Sequence, residues 1–173
     1  YNSYGNGAAM RVAPAGLLAK SLDEAISLAH KVTNVTHNHP EGMKGAAATA
    51  AAIYLARTGH SQAGIRGYVA ENFGYDLTRT VDEIRLGYRF NETCQQSVPE
   101  ALTCVLEADG FEDAIRNAIS IGGDSDTIGA IAGGVAEALF GIPQDIADTA
   151  WKRLPEDMRQ VLTKLYDIAG QSG

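Results

Sequence analysis

The densest group of oxygen-bearing side chains in the sequence lies between two glycines and a helical pattern. In the segment Ile121–Gly141 (IGGDSDTIGAIAGGVAEALFG), two aspartates stand one residue apart and a threonine follows the second. The carboxylates of Asp124 and Asp126 and the hydroxyl of Thr127 are hard oxygen ligands, which suit Mg²⁺, Mn²⁺ or Ca²⁺ better than Zn²⁺. This spacing predicts a divalent-cation site at the start of a helix.

A purely structural role fits the same aspartates. An Asp placed just before a helix caps it by accepting backbone N–H groups of the first turn. One aspartate suffices for a cap, however, and a second carboxylate in an apolar stretch needs a partner for its charge. A bound cation would be that partner, so both interpretations stay open at this point.

Two further stretches contain side chains that can contact a ligand. The first is Asn2–Arg11 (NSYGNGAAMR), where a glycine-flanked loop precedes an Ala-Ala-Met run. Its N–H groups can bind a phosphate and Tyr4 can stack on a base, although Asn-Gly is also an ordinary turn signal. The second is Thr36–Gly42 (THNHPEG), where the two histidines lack an evident third metal ligand nearby. They fit either a solvent-facing loop or a hydrogen bond to a ligand.

The elements that must position these stretches are helices. Serine or threonine three residues before glutamate, the pattern of a helix start, occurs in Ser21–Glu24, Thr80–Glu83 and Ser97–Glu100. No alternating strand pattern is present, so the sequence predicts one all-α domain over residues 1–173. Glycine and alanine give the helices at 46–55 and 128–140 faces with little side-chain volume (thin faces), which implies that other segments pack close to them. The remaining helices are predicted to begin near Pro40, Ser61, Phe111, Pro143 and Pro155.

Composition narrows the classes of function. The formal net charge of the 173 residues is −7, which argues against a surface for nucleic acid or anionic lipid. Cys94 and Cys104 are the only cysteines, so a disulfide scaffold is not expected. The sequence contains neither a signal-peptide pattern nor a run of about 18 apolar residues. We therefore expect a cytoplasmic protein that binds neither membranes nor nucleic acid.

Taken in order, the Gly-Asn-Gly-Ala-Ala-Met-Arg, Thr-His-x-His-Pro and Gly-Gly-Asp-Ser-Asp-Thr motifs resemble those of the ADP-ribosylglycohydrolase family, which includes the dinitrogenase reductase activating glycohydrolases. The resemblance extends through Asn91–Leu102 and Phe111–Ser120. It implies a compact orthogonal all-α fold with two Mg²⁺ or Mn²⁺ ions at the base of an ADP-ribose cleft. The implied reaction is metal-dependent hydrolysis of the glycosidic bond between ADP-ribose and a protein side chain or other acceptor.

The resemblance also implies roles for individual residues. Asp124, Asp126 and Thr127 match metal ligands of the family. A loop that contacts the phosphates and adenosine of ADP-ribose is matched by Ser3, Tyr4, Gly5 and Asn6. His37 matches a residue that contacts the ligand near the diphosphate, whereas His39 is interpreted as structural.

One departure from the family pattern bears on catalysis. The family's Thr-Asp-Asp metal motif, in a segment that also supplies the catalytic acid, has no counterpart here, since the chain contains no Asp-Asp pair. Because the sequence starts at Tyr1 inside a motif, we expect a fragment or processed product without its N-terminal helices. Such a chain is expected to associate with itself or with a separate N-terminal piece. A non-catalytic ADP-ribose-binding module and a crystallin-like structural protein are the alternatives.

Overall fold

The computed structural model describes residues 1–170, and over this range the chain is all-α, as the sequence predicts. Its helices are α1 (Gly7–Met10), α2 (Ala13–Leu18), α3 (Leu22–Thr33), α4 (Pro40–Arg57), α5 (Gln62–Phe73), α6 (Val81–Gly87), α7 (Cys94–Leu106), α8 (Phe111–Ser120), α9 (Ser125–Phe140), α10 (Gln144–Arg153) and α11 (Glu156–Ala169).

Helix α4 occupies the centre of the core. It packs against α1, α2, α3, α5, α7 and α9, and most of its residues from Gly45 to Ala56 are buried. Small side chains bring helix axes close together, because little volume separates the two backbones. A methyl group placed on Gly45 would lie 2.7 Å from the Cys94 sulfur, so α4 and α7 meet in direct contact.

The thin faces of α4 and α9 are covered by helices of this same chain. Methyl groups on Gly129 and Gly133 would lie 3.6 and 3.5 Å from isoleucines of α8, and one on Gly134 would lie 3.2 Å from Ala13. The close partners implied by the sequence are therefore present. The burial is more complete on α4, where most residues from Gly45 to Ala56 are buried, than on α9, where Gly129 and Gly133 stay partly exposed.

Several of the exposed apolar side chains lie on the last helix. Neither α10 nor α11 has a buried residue, and Met158, Val161 and Ile168 of α11 are more than half exposed. The hydroxyl of Tyr166 donates to Glu137 at 2.6 Å and so connects α11 to α9. Association with a second copy or with a separate N-terminal piece stays a prediction.

Of the three helix starts predicted from the spacing of serine or threonine and glutamate, the structure confirms two. Thr80 and Glu83 form a capping box, and the Ser21 hydroxyl accepts the Glu24 N–H at 3.1 Å. The start predicted at Ser97 is wrong, because α7 already begins at Cys94 and Ser97 lies buried in its second turn. The earlier start follows from contacts with the chain's first residues, since the Cys94 N–H donates to the Tyr4 carbonyl at 3.0 Å.

A membrane-spanning helix is not found in residues 1–170, because none of these helices is both long and apolar enough to cross a bilayer.

The contact between α4 and α7 generates a prediction about stability. Gly45→Ala adds a methyl group against the Cys94 sulfur, and the resulting shift should lower the free energy of unfolding by roughly 1–3 kcal/mol. Gly67→Ala, at an exposed position of α5 with no atom within 4 Å of the added methyl, should raise it by roughly 0.5–1 kcal/mol. Urea denaturation of both variants measures the difference, and equal effects would contradict close packing at Gly45.

Candidate functional site

Two consecutive glycines form the turn that precedes α9. Gly122 and Gly123 have φ angles of +74° and +71°, values that residues with a Cβ rarely adopt. At Gly123 an added Cβ would also lie 2.5 Å from the ring of Tyr88, so this position excludes any side chain for two reasons. The turn places Asp124 at the N-cap position of α9.

Asp124 occupies the cap position, but its carboxylate caps nothing. No hydrogen bond from the first turn of α9 reaches its side chain. Its Oδ2 instead accepts a hydrogen bond of 2.6 Å from the side-chain amide of Asn6. The same amide nitrogen lies 3.0 Å from the hydroxyl oxygen of Ser97, a fully buried residue of α7. A single amide thus connects the N-terminal loop, α7 and α9.

Asp126 and Thr127 follow in the first turn of α9. The pKa of the Asp126 carboxyl lies below its usual range, first because the Thr127 N–H donates to it and then because of a hydrogen bond with the Asp124 side chain. Both carboxyl groups therefore stand at the start of α9. Thr127 is buried, and its hydroxyl lies 3.7 Å from the sulfur of Met10 in α1.

The chemistry of these donors fits one side of a cation site. Two adjacent carboxyl groups and a hydroxyl offer oxygen ligands only, and neither carboxylate forms an ion pair with a basic side chain of residues 1–170. Mg²⁺ takes about six oxygen ligands, so further oxygens would have to complete the shell. Within that range no three His, Cys, Asp or Glu side chains group as a metal site. Asp124, Asp126 and Thr127 are the residues that could hold the ion.

The N-terminal loop is held against the start of α7. Gly5 and Thr93 form an antiparallel bridge, in which the Asn6 N–H donates to the Glu92 carbonyl at 2.6 Å. The Gly5 N–H donates to the Ser3 hydroxyl at 3.2 Å. Two of the loop's N–H groups therefore already have partners within the chain, which leaves fewer of them for a phosphate than the sequence suggests.

His37 packs against this loop from the opposite side. Its Nε2 atom would lie 3.6 and 3.1 Å from methyl groups placed on Gly5 and Gly7. Its Nδ1 lies 2.7 Å from the hydroxyl of Thr36, and that hydroxyl accepts a hydrogen bond of 3.0 Å from Arg11. Burial, and then the positive charge of Arg11, hold the pKa of His37 below its usual 6.5.

Tyr4 and His39 form the outer edge of the loop. The two rings meet edge to face with centroids 5.2 Å apart, and Tyr4 is 49% exposed. His39 caps α4, since its Nδ1 accepts the Glu41 N–H at 3.2 Å, which agrees with its structural interpretation. The exposed face of Tyr4 remains accessible to a flat ligand.

The structure thus brings the three predicted stretches together. Asn6 contacts Asp124 directly, Thr127 contacts α1, and His37 contacts the glycines of the loop. Sequence reasoning missed Ser97 and Asn91, which lie behind the amide of Asn6. The run of small polar residues in Asn91–Ser97 was the available signal, but Ser97 followed by Glu100 resembled a helix cap.

Comparison with known proteins supports one family. The family model described as ADP-ribosylglycohydrolase matches residues 1–172. The ADP-ribosyl-[dinitrogen reductase] glycohydrolase of Rhodospirillum rubrum is 32% identical over 96% of this chain and 57% of its own length. ADP-ribosylhydrolase ARH3 of Bos taurus is 28% identical over 98% of this chain and 57% of its own length.

A solved structure agrees with these sequence relatives. A chain of a structure titled "ADP-ribosylglycohydrolase-related protein complex" superposes with a TM-score of 0.74 and 25% identity, over 96% of this chain and 61% of its own. This chain spans little more than half the length of the curated relatives it matches. The family model, the relatives and the fold together show that the chain belongs to the ADP-ribosylglycohydrolase family.

Proposed function

We propose that this chain forms the ligand loop and half of the cation site of a metal-dependent hydrolase that cleaves the N- or O-glycosidic bond between ADP-ribose and a side chain or other acceptor. The observation that carries the proposal is the 2.6 Å hydrogen bond from Asn6 to Asp124, because it joins the loop and the oxygen cluster into one site. The names of the relatives, which are hydrolases of ADP-ribosyl linkages, support the same reaction class.

Asp124, Asp126 and Thr127 would hold Mg²⁺ or Mn²⁺, with two ions in the intact site. When bound, such ions lower the pKa of a water molecule and stabilise developing negative charge. The contribution of this chain is to present two carboxylates without a competing basic partner at one side of the ligand. Three protein oxygens are few for a closed site, so we expect weak binding by the chain alone.

His37 would donate a hydrogen bond to the diphosphate of ADP-ribose. Because Arg11 donates to the Thr36 hydroxyl, the proton of that hydroxyl is available for Nδ1 of His37. The imidazole proton then lies on Nε2, the nitrogen that faces the glycine loop. The lowered pKa keeps the ring neutral near pH 7, so this tautomer is the main form there.

Ligand binding and turnover test the proposal separately. Calorimetry should detect ADP-ribose binding to the 173-residue chain, with Tyr4→Ala weaker by about 1 kcal/mol, or roughly fivefold, through loss of an aromatic contact. Hydrolysis of ADP-ribosyl-arginine and ADP-ribosyl-serine is assayed in a full-length protein that contains these residues, where Asp124→Ala should abolish turnover. A folded chain that does not bind ADP-ribose would overturn the proposal. Binding by the chain together with no turnover by the full-length protein would identify a binding module.

The cation site gives a second prediction. Mn²⁺ should bind the chain weakly in a calorimetric titration, and Asp124→Ala should remove the measurable heat, because the site then loses one of only two carboxylates. Glu112→Ala, on the exposed face of α8 where Glu112 pairs with Arg116, is the matched control and should leave the titration unchanged. Indistinguishable isotherms for wild type and Asp124→Ala would remove Asp124 from the site.

The environment of His37 gives a third prediction, which concerns pH. Arg11→Gln removes the nearby positive charge, so the pKa of His37 should rise toward 6.5 but stay below it, because burial is the larger cause. Since the unfolded chain binds this proton more tightly than the folded state, His37 makes the fold less stable as the pH falls below 6.5. Arg11→Gln should reduce that loss.

NMR titration of the histidine ring protons measures this change. Arg153→Gln, in the exposed helix α10, removes the same charge far from the loop in sequence and serves as the control. A His37 titration curve that is the same in Arg11→Gln and wild type would show that Arg11 does not act on the imidazole.

A further inference from the structure

Asn6 belongs to the ligand loop, yet its side chain faces the interior of the protein. Only 6% of the residue is exposed. We propose that Asn6 is a positioning residue that holds the Asp124 carboxylate for a cation, and that its side chain does not contact ADP-ribose. The proposal rests on the proposed function and assigns Asn6 to the cation side of that site.

The donors of Asn6 are already occupied. Its amide nitrogen carries two hydrogens and lies 2.6 Å from Asp124 Oδ2, 3.0 Å from Ser97 Oγ and 3.5 Å from the Asn91 carbonyl oxygen. Its backbone N–H donates to the Glu92 carbonyl at 2.6 Å. Three acceptors therefore surround the two amide hydrogens, so neither the side-chain amide nor the backbone N–H of Asn6 is left to bind a phosphate.

Ser97 fixes the orientation of this amide. The serine is fully buried in α7, and its hydroxyl donates to the Asn91 carbonyl at 3.0 Å. With its proton used in that direction, the hydroxyl oxygen can only accept from Asn6. The hydrogen bonds thus run from Asn6 to Ser97 and on to the Asn91 backbone, while the second amide hydrogen is directed at Asp124.

An amide is well suited to holding a carboxylate that must also bind a cation. A Lys or Arg at the same place would neutralise the charge of Asp124 and compete with the ion, whereas Asn donates a hydrogen bond and carries no charge. A hydrogen bond to a carboxylate is stronger than one between neutral groups. Fixing the carboxylate in advance reduces the ordering that cation binding would otherwise require.

The test separates cation binding from ligand binding. In Asn6→Ala, Mn²⁺ affinity measured without ADP-ribose should fall roughly 10–100-fold, the usual effect of removing a group that orients a metal ligand. ADP-ribose affinity measured in EDTA should stay within about twofold of wild type, because no ligand contact is lost. Tyr4→Ala, two residues away on the same loop, should show the opposite pattern and is the matched control.

Ser97→Ala keeps the proposal testable if Asn6→Ala does not fold. This variant leaves the Asn6–Asp124 bond in place but removes the hydroxyl that orients the amide, so Mn²⁺ affinity should fall several-fold while ADP-ribose affinity in EDTA is retained. Unchanged Mn²⁺ affinity in the folded variants would overturn the proposal. So would a loss confined to ADP-ribose, since Asn6 would then be a ligand contact.

A structural measurement distinguishes failure of this inference from failure of the proposed function. If the wild-type chain binds no Mn²⁺, the cation part of the proposed function is wrong. The position of Asp124 can still be compared between crystal structures of wild type and either Asn6→Ala or, if that variant does not fold, Ser97→Ala, both without metal. A carboxylate that turns away from its wild-type position in the variant supports positioning by Asn6, and an unmoved carboxylate overturns it.

Discussion

The buried amide of Asn6 is the constraint on which the rest of the site depends. Its nitrogen atom contacts both Ser97, which follows Asn6 by 91 positions in the sequence, and Asp124, which follows it by 118. A buried amide is costly unless its hydrogen bonds are made, so the loop, α7 and α9 must reach one relative position to satisfy it. The bridge between Gly5 and Thr93 and the two left-handed glycines before Asp124 both serve this arrangement.

The small residues of the core make that arrangement possible. α7 can bring Ser97 and Cys94 up to the loop only because α4 presents Gly45 at the point of contact. Cys94 completes the junction by donating its thiol to the Gly5 carbonyl, and burial raises the pKa of that thiol to about 12, so it remains protonated. Helix packing and the polar site are therefore linked, because the close approach of α4 and α7 places Cys94 and Ser97 beside the loop.

The sequence predicts the parts of this structure that are set by local chemistry. Thr80 and Glu83 cap α6 as their spacing indicates, and Ile128, Ile131 and Val135, apolar residues of α9 spaced three and four apart, are buried. Prediction fails where a contact between distant segments overrides a local preference. Ser97 has the pattern of a cap, yet α7 begins three residues earlier, where the Tyr4 carbonyl accepts the Cys94 N–H and the Gly5 carbonyl accepts the Cys94 thiol. The inward orientation of Asn6 depends on the same distant contacts.

The distribution of charge across the loop bears on the proposed cation. The diphosphate of ADP-ribose is negative, and two carboxylates at one side of its proposed binding loop would repel it. Among the residues that the structure describes, the Asn6 amide donates a hydrogen bond to Asp124, and the Ser97 hydroxyl lies behind that amide. Both groups are neutral, while the positive charge of Arg11 lies on the His37 side of the loop. Within residues 1–170, neither Asp124 nor Asp126 forms an ion pair with a basic side chain. A divalent ion between carboxylates and ligand would turn that repulsion into attraction for both, and neutral groups at Asn6 and Ser97 would leave the charge of the carboxylates available to that ion.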